Sequence, residues 1–177
     1  MKKLLFIVSI LAICIIHIEA KGQTNSNSTN KNLSKKAYKL KGEQIFNKHA
    51  EKCLDVMEKT AKDNSVTGVA IICFAPTDTA GSWVSSMRVV GNVANDKANF
   101  LAIAGSKAAE MFLTHENSGS KVREPLNGEL GYKGGMIKKV KYGYVIASFS
   151  GGPSEIDAEI STSGINWLSE FYPSGAF

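Results

Sequence analysis

The sequence predicts an α+β domain in which helices pack on an antiparallel sheet. Apolar residues recur at helical spacing in three segments and form β-type runs in four others. Their order along the chain is helix, two strands, helix, two strands, helix. The connection inside each strand pair is too short for a crossover, so each pair should form an antiparallel hairpin.

The first helix and the first strand pair are predicted over residues 43–90. Residues 66–74 are β-rich and mostly apolar, which is typical of a buried strand. A turn then leads to a second strand over residues 82–90, which carries Trp83 and Met87. The helix over residues 43–62 is indicated by one apolar stripe at three- and four-residue spacing, made of Phe46, Ala50, Cys53, Leu54, Met57 and Ala61.

The second helix is predicted to run from a cap at Asn95 or Asp96 to about Thr114. The segment that follows, residues 116–126, is polar and contains glycine, so an exposed loop is expected. The stripe that indicates the helix consists of Phe100, Leu101, Ala104, Ala108, Met111 and Phe112.

The second strand pair is predicted over residues 135–140 and 142–149. The last helix should begin at Pro153 or Ser154 and continue to Leu168, and Gly164 should weaken or bend it. The sequence therefore predicts a single domain of ordinary size over residues 45–177.

The segment before this domain predicts export. Lys2 and Lys3 precede an apolar run over residues 4–16, and Ala20 offers a small residue for cleavage, so residues 1–20 are predicted to be a signal peptide. The run is short for a membrane span, so no stable span is expected after processing. We expect a periplasmic or extracellular protein.

Residues 21–44 are predicted to form a flexible tether, because they are rich in Asn, Ser, Thr and Lys and poor in large apolar groups. The chain carries a formal charge of +5, of which residues 1–20 hold +1 and residues 21–48 hold +6, leaving −2 for residues 49–177. A nucleic-acid partner is not predicted, because the folded part lacks a net positive charge. The basic segment itself is expected to solubilise the chain, with contact to an anionic surface as the alternative.

Cys53 and Cys73 remain after the predicted processing. They could pair in an oxidising compartment, but two separate buried thiols are the favoured interpretation, because free cysteine is among the most buried residue types.

Four short motifs in the second half point to a known family. Their order and spacing resemble the GlcG/HbpS-like family of haem-binding and related small-ligand domains over about residues 46–170. The resemblance implies a profilin-like fold with an antiparallel sheet of about five strands and flanking helices. It also implies frequent homo-oligomers and, in several members, haem or another tetrapyrrole as ligand. The motifs are Gly105-Ser106-Lys107-Ala108-Ala109, Gly134-Gly135, Ser150-Gly151-Gly152 and Asp157.

The chain departs from the family pattern in three places. Ile137 stands where members often have proline, the turn over residues 75–81 is longer than the usual Asp-x-x-Gly turn, and residues 171–177 have no family counterpart. These departures bear on the ligand more than on the fold.

His115 and His49 are the candidate axial ligands for haem iron. Met111 is four residues before His115, so the two could border one pocket. Alternatively, His115 ends a helix and His49 packs at the edge of one. The predicted ligand-binding residues are Lys107, Met111, His115, Gly134, Gly135, Ser150, Gly151, Gly152 and Asp157.

Each remaining candidate also has a structural interpretation. Lys107 could be exposed, or could contact a ligand or a carboxylate. The glycines could make turns, or could hold an anion with free backbone N–H groups. Asp157 could complete a hydrogen-bond network at the start of the last helix.

Three functions are consistent with these observations. The first is an exported, non-catalytic domain that binds a small ligand, best haem or a related tetrapyrrole, as a sensor or scavenger. The second is an enzyme that acts on a small metabolite or degrades haem, with His115 or Lys107 as acid or base. The third is a structural module of an envelope assembly. No catalytic residue is predicted, since the sequence contains no nucleophile elbow, P-loop or metal motif.

Overall fold

The computed structural model describes residues 36–76, 82–93 and 97–173. The chain divides into Met1–Tyr38 and Lys39–Phe177. Residues 36–63 are helical, and residues 39–63 form helix α1 of the second unit. The elements that follow are β1 (Gly68–Ala75), β2 (Val84–Val90), α2 (Phe100–Thr114), β3 (Gly135–Val140), β4 (Gly143–Ser150) and α3 (Ser154–Ser169).

The strands form one antiparallel sheet in the order β2-β1-β4-β3. Both predicted hairpins are present, and β1 pairs with β4 at the centre of the sheet. The α+β class is confirmed, and the architecture is consistent with a profilin-like fold. The described residues form four strands where the family resemblance implied about five.

Helices cover both faces of the sheet. On one face, α2 packs against alternate residues of the central strands, including Val69, Ile71 and Ile146. On the other face lie α1 and α3, and every residue of β1 is buried between the two layers. The continuous apolar run at residues 66–74 is thus explained by burial on both sides.

α1 begins before the predicted start at Glu43, since residues 39–42 are also helical. Gly42 is buried, and a Cβ atom there would collide with the ring of Phe74. The Tyr172 hydroxyl donates to the Gly42 carbonyl oxygen at 3.2 Å. The packed domain therefore includes residue 42, which the sequence assigned to the tether. The predicted signal peptide and the tether up to residue 35 lie outside the described residues.

α2 begins later than predicted. Its N-cap is Asn99, whose side-chain oxygen accepts a hydrogen bond from the Ala102 amide at 3.0 Å. The prediction of a cap at Asn95 or Asp96 is wrong, and these two residues lie outside the described segments. Several Asn and Asp residues precede the apolar stripe, and the periodicity alone does not select the one that caps.

Gly164 marks a close helix contact. α3 runs through it without interruption, and a Cβ atom there would lie 2.6 Å from the Met57 sulfur atom of α1. The Cys53 thiol donates to the Gly164 carbonyl oxygen at 3.3 Å. A small residue is needed at this contact because the two helices approach closely. Close packing against α1, and not a bend in α3, therefore explains the glycine.

Cys53 and Cys73 are both free and buried, as the sequence favoured. Cys53 lies on α1, whereas Cys73 belongs to the cluster beneath α2 on the opposite face of the sheet. The sheet separates the two thiols. Among the described residues, no helix is both long and apolar enough to cross a bilayer.

Candidate functional site

Lys107 and Asp157 form a buried ion pair between α2 and α3. Lys107 Nζ lies 2.7 Å from Asp157 Oδ2 and also donates to the Phe149 carbonyl oxygen at 2.8 Å. The second carboxylate oxygen, Oδ1, accepts the Gly152 amide at 3.0 Å. The two side chains are 2% and 5% exposed. The pair therefore joins the two helices just beyond the end of β4.

Glycines make room for this pair. Gly134 has a φ of +112°, and a Cβ atom there would lie 2.6 Å from Asp157 Cβ and 2.9 Å from Lys107 Nζ. A Cβ atom on Gly151 would collide with the Thr67 carbonyl oxygen. A side chain at Gly134 would displace the ion pair itself, and one at Gly151 would displace the backbone of Thr67 and Gly68. The spacing of these motifs along the chain thus reflects one three-dimensional cluster, which we call the Lys107–Asp157 cluster.

The charged atoms of the cluster are paired within the protein. Burial raises the pKa of Asp157, and the hydrogen bond and charge of Lys107 oppose that shift. The Gly152 amide, a candidate anion donor, binds the Asp157 carboxylate instead. The sequence left open whether Lys107 is exposed or contacts a ligand or a carboxylate. The structure shows that it contacts the Asp157 carboxylate. Ser150 lies beside the cluster as the last residue of β4, buried opposite Val69.

Met111 and Gly135 lie next to each other in the core. Met111 is fully buried, and a Cβ atom on Gly135 would lie 2.5 Å from its methyl group. The Ser118 hydroxyl oxygen accepts the Gly135 amide at 2.8 Å, and the Ser118 amide donates to the Gly135 carbonyl at 3.3 Å. These contacts fix the start of β3 against α2, so both residues have packing roles.

His115 ends α2 in a left-handed conformation with a φ of +58°. Its backbone amide donates to the Met111 carbonyl oxygen at 2.9 Å. Its ring is partly exposed and stacks on Tyr144 of β4, with ring centroids 4.3 Å apart and planes 3° apart. His115 thus caps the helix with its backbone, while its side chain lies at the surface.

A second ring pair lies at the same end of α2. Trp83 contacts Phe112 edge-on, with ring centroids 5.5 Å apart. Val84 pairs with Phe74 and Tyr144 with Ala75, so Trp83 and Tyr144 flank the end of β1. Phe112 and His115 are three residues apart at the end of α2, so the two ring pairs meet the same turn of that helix.

Beside this end of α2, one face of β2 is open. Met87 and Val89 pair with Ile71 and Val69, which α2 covers, yet the two β2 residues are 48% and 46% exposed. Trp83 is an even number of residues away from both, so on extended backbone its side chain lies on the same face. We call Trp83, Met87, Val89 and Phe112 the β2 shelf. The sequence showed only that β2 carries large side chains. It did not show which face of β2 stays uncovered, because that depends on where α2 packs.

His49 lies on the opposite side of the sheet from His115. Its ring stacks on Phe171 at 3.8 Å and contacts Trp167 at 6.1 Å. Burial and the neighbouring Lys48 lower the pKa of His49. The structure therefore does not bring the two candidate axial histidines together.

Several other charged groups are engaged by protein partners. Arg88 binds Glu51, Asp55 and Glu58 of α1, and Arg123 binds both carboxylate oxygens of Glu129. The guanidinium groups of both arginines are thus engaged by carboxylates of the protein itself.

Within residues 36–76, 82–93 and 97–173, Glu110 is the buried polar side chain with an atom that lacks a partner. Its Oε1 accepts the Gly119 amide at 2.8 Å, whereas Oε2 has no partner. The described residues contain no group of three or more His, Cys, Asp or Glu side chains that could hold a metal ion.

No protein-family model matches the chain, and no curated protein matches it in sequence. Among solved structures, the chain is similar to a crystal structure of a PduOC:haem complex. The two share 16% sequence identity with a TM-score of 0.48, over 66% of this chain and 89% of that one. A similarity of this size does not assign a ligand, so the ligand has to be inferred from the site itself.

Proposed function

We propose that this chain is an exported, non-catalytic domain that binds a planar, largely apolar small ligand at the C-terminal end of α2. Haem or a related tetrapyrrole is the ligand we favour. The observation that carries the proposal is the juxtaposition of the β2 shelf with the partly exposed ring of His115. A flat apolar ligand needs exposed aromatic and thioether surface, and haem iron commonly takes a histidine ligand.

The shelf supports an apolar ligand through its area. Met87 and Val89 are about half exposed on a sheet face whose neighbouring strand is fully buried. Covering such residues removes apolar surface from water at about 25 cal/mol per Å². Trp83, at 39% exposure, adds aromatic surface at the end nearest His115.

His115 would hold the iron if haem binds, and bound haem would supply redox and gas-binding chemistry. The other predicted ligand residues make contacts within the protein that suit structural roles better. The Lys107–Asp157 cluster satisfies its own charges, and Met111 is closed off in the core. The proposal therefore narrows the predicted site from nine residues to the surroundings of His115. A homo-oligomer, implied by the family resemblance, is part of the same proposal.

The test is an absorbance titration with haemin, using four proteins: wild type, His115→Ala, Met87→Ser and His49→Ala. We expect a saturable Soret band in wild type, a shifted or lost band in His115→Ala, and weaker affinity in Met87→Ser. His49→Ala is the matched control, because it removes a histidine on the opposite face. A flat wild-type titration, or a band unchanged in His115→Ala, would contradict the proposal.

Export is tested separately. We expect cells that express the full chain to release a mature form whose N-terminal sequence begins at Lys21. A product that retains Met1 in the cytoplasm would refute export without bearing on the ligand.

A further inference from the structure

One surface of the domain combines an exposed ring and two partly exposed rings with lysines. Phe171 follows α3, is 38% exposed, and lies 4.7 Å from the Trp167 ring by centroid distance. His49 of α1 stacks on its other side at 3.8 Å. Three rings are therefore packed against one another at the surface, on the side of the sheet away from His115.

Exposed lysines lie on the elements that carry or contact these rings. Lys41 and Lys48 are exposed on α1 and are seven residues apart, so they lie on the same side of that helix. Lys138 of β3 donates to the Ser169 hydroxyl oxygen at 2.8 Å, two residues before Phe171. We call Trp167, Phe171, Lys41, Lys48 and Lys138 the ring–lysine face.

Carboxylates are few on this surface. Glu170 is exposed beside Phe171, and Glu43 lies 3.8 Å from Lys39. The acidic residues of α1 occur later in the helix, where Glu51, Asp55 and Glu58 bind Arg88 on β2. Because residues 49–177 carry a net −2, the positive charge here is a local feature and not a property of the whole domain.

The sequence before α1 is also basic. Residues 21–36 contain four lysines and no acidic residue. A chain that carries both a polybasic stretch and a domain face with an exposed ring is a combination that suits an anionic membrane surface.

We propose that the ring–lysine face docks the domain on an anionic lipid bilayer. Lysines near such a surface each strengthen binding by about fivefold, and aromatic rings favour the boundary between headgroups and acyl chains. A soluble polyanion would engage the lysines but would gain nothing from Phe171, because it offers no apolar phase. The exposed ring is therefore the feature that selects lipid. The proposal does not depend on the ligand.

The test uses vesicles of phosphatidylcholine with and without phosphatidylglycerol. A Trp83→Phe background leaves Trp167 as the remaining tryptophan, so its fluorescence reports on this face. Both the full chain and the chain from Lys21 are measured, because the predicted signal peptide could bind vesicles by itself. We expect a blue shift on anionic vesicles, a weaker response as salt rises, and little binding to neutral vesicles.

Two sets of variants separate the contributions. Lys41→Gln/Lys48→Gln/Lys138→Gln should lower the partition constant by about 100-fold, from three lysines at about fivefold each. Phe171→Ser should lower it further on vesicles and leave binding to dextran sulfate unchanged. The matched control neutralises three exposed lysines elsewhere, Lys59, Lys62 and Lys133.

Each outcome decides the proposal. Binding that is lost in the ring–lysine variants and kept in the control supports it. Vesicle binding that survives Phe171→Ser, with equally tight binding to dextran sulfate, would show a general polyanion site and overturn it. Equal losses in the control variant, or no binding to anionic vesicles, would also overturn it.

Discussion

Replacing Lys107 with methionine should destabilise the domain more than any other single lysine substitution in the described residues. The change removes the ammonium that lies 2.7 Å from Asp157 Oδ2 and 2.8 Å from the Phe149 carbonyl oxygen. Methionine has similar length and no polar head. Asp157 would remain buried with its backbone contacts at Gly151 and Gly152.

The expected loss follows from the burial of the pair. Both side chains are at least 95% buried, so solvent cannot replace the missing partner. Removing one member of a buried ion pair costs about 3–5 kcal/mol in the free energy of unfolding. At a urea dependence of about 2 kcal/mol per M, the unfolding midpoint should fall by about 2 M.

The loss should depend on pH. Burial already raises the pKa of Asp157, and Lys107 opposes that shift. Without Lys107 the pKa of folded Asp157 rises further, so the variant takes up a proton on folding over a wider pH range. A raised carboxyl pKa favours the folded state below it, and that advantage disappears as pH rises through it. The difference between wild type and variant should therefore be largest near neutral pH and should shrink as the solution is acidified.

The assay is urea unfolding, monitored by circular dichroism, at several pH values from neutral to acidic. Lys52→Met is the control, because Lys52 is 75% exposed and should change stability by less than about 0.5 kcal/mol. Lys107→Met/Asp157→Leu removes both charges and should recover part of the loss. A loss in Lys107→Met no larger than the control, or one that grows as pH falls, would refute this account of the pair.

Three further substitutions or reactions test the packing. Gly134→Ala should destabilise by about 3 kcal/mol in the same urea assay, since it combines a positive φ with a collision at the ion pair, and a neutral result would contradict the glycine's role. Gly164→Ala gains about 1 kcal/mol of helix propensity but crowds Met57 by about 1–3 kcal/mol, so calorimetry should show a net loss of about 1 kcal/mol rather than a gain. Burial raises the pKa of Cys53 to about 12 and also raises that of Cys73, so both thiols should stay unreactive towards Ellman's reagent until the chain is unfolded; rapid reaction of the native protein would count against the buried placement.

The fold was largely predictable because its elements have strong local signals. The strand predicted at residues 135–140 is observed with the same bounds, and the last helix begins at Ser154 as expected. The ends of helices were predicted less well where several neighbouring residues could serve as the cap. Asn99 caps α2 although Asn95 and Asp96 were equally suitable in sequence, and only the position of the helix on the sheet decides between them.

The site was predictable only in part. Lys107, Gly134 and Asp157 were identified through the family resemblance, and the structure brings them together. Their pairing with one another and with backbone groups was not predictable, because it depends on which groups converge in three dimensions. The β2 shelf was missed as a site for a similar reason: alternation along β2 shows two faces but does not show which one a helix leaves uncovered.

The two edges of the sheet differ in a way that affects how the protein behaves in solution. On β3, the Ile137 amide donates to the Asn117 side chain and Gly135 is bonded by Ser118, so the outer edge is occupied by its own loop. Among the described residues, β2 is paired on one side only. An edge strand with open backbone groups and exposed apolar side chains is a starting point for strand-to-strand aggregation. If the protein precipitates during concentration, a charged residue at Val89 is the substitution we expect to keep it monodisperse.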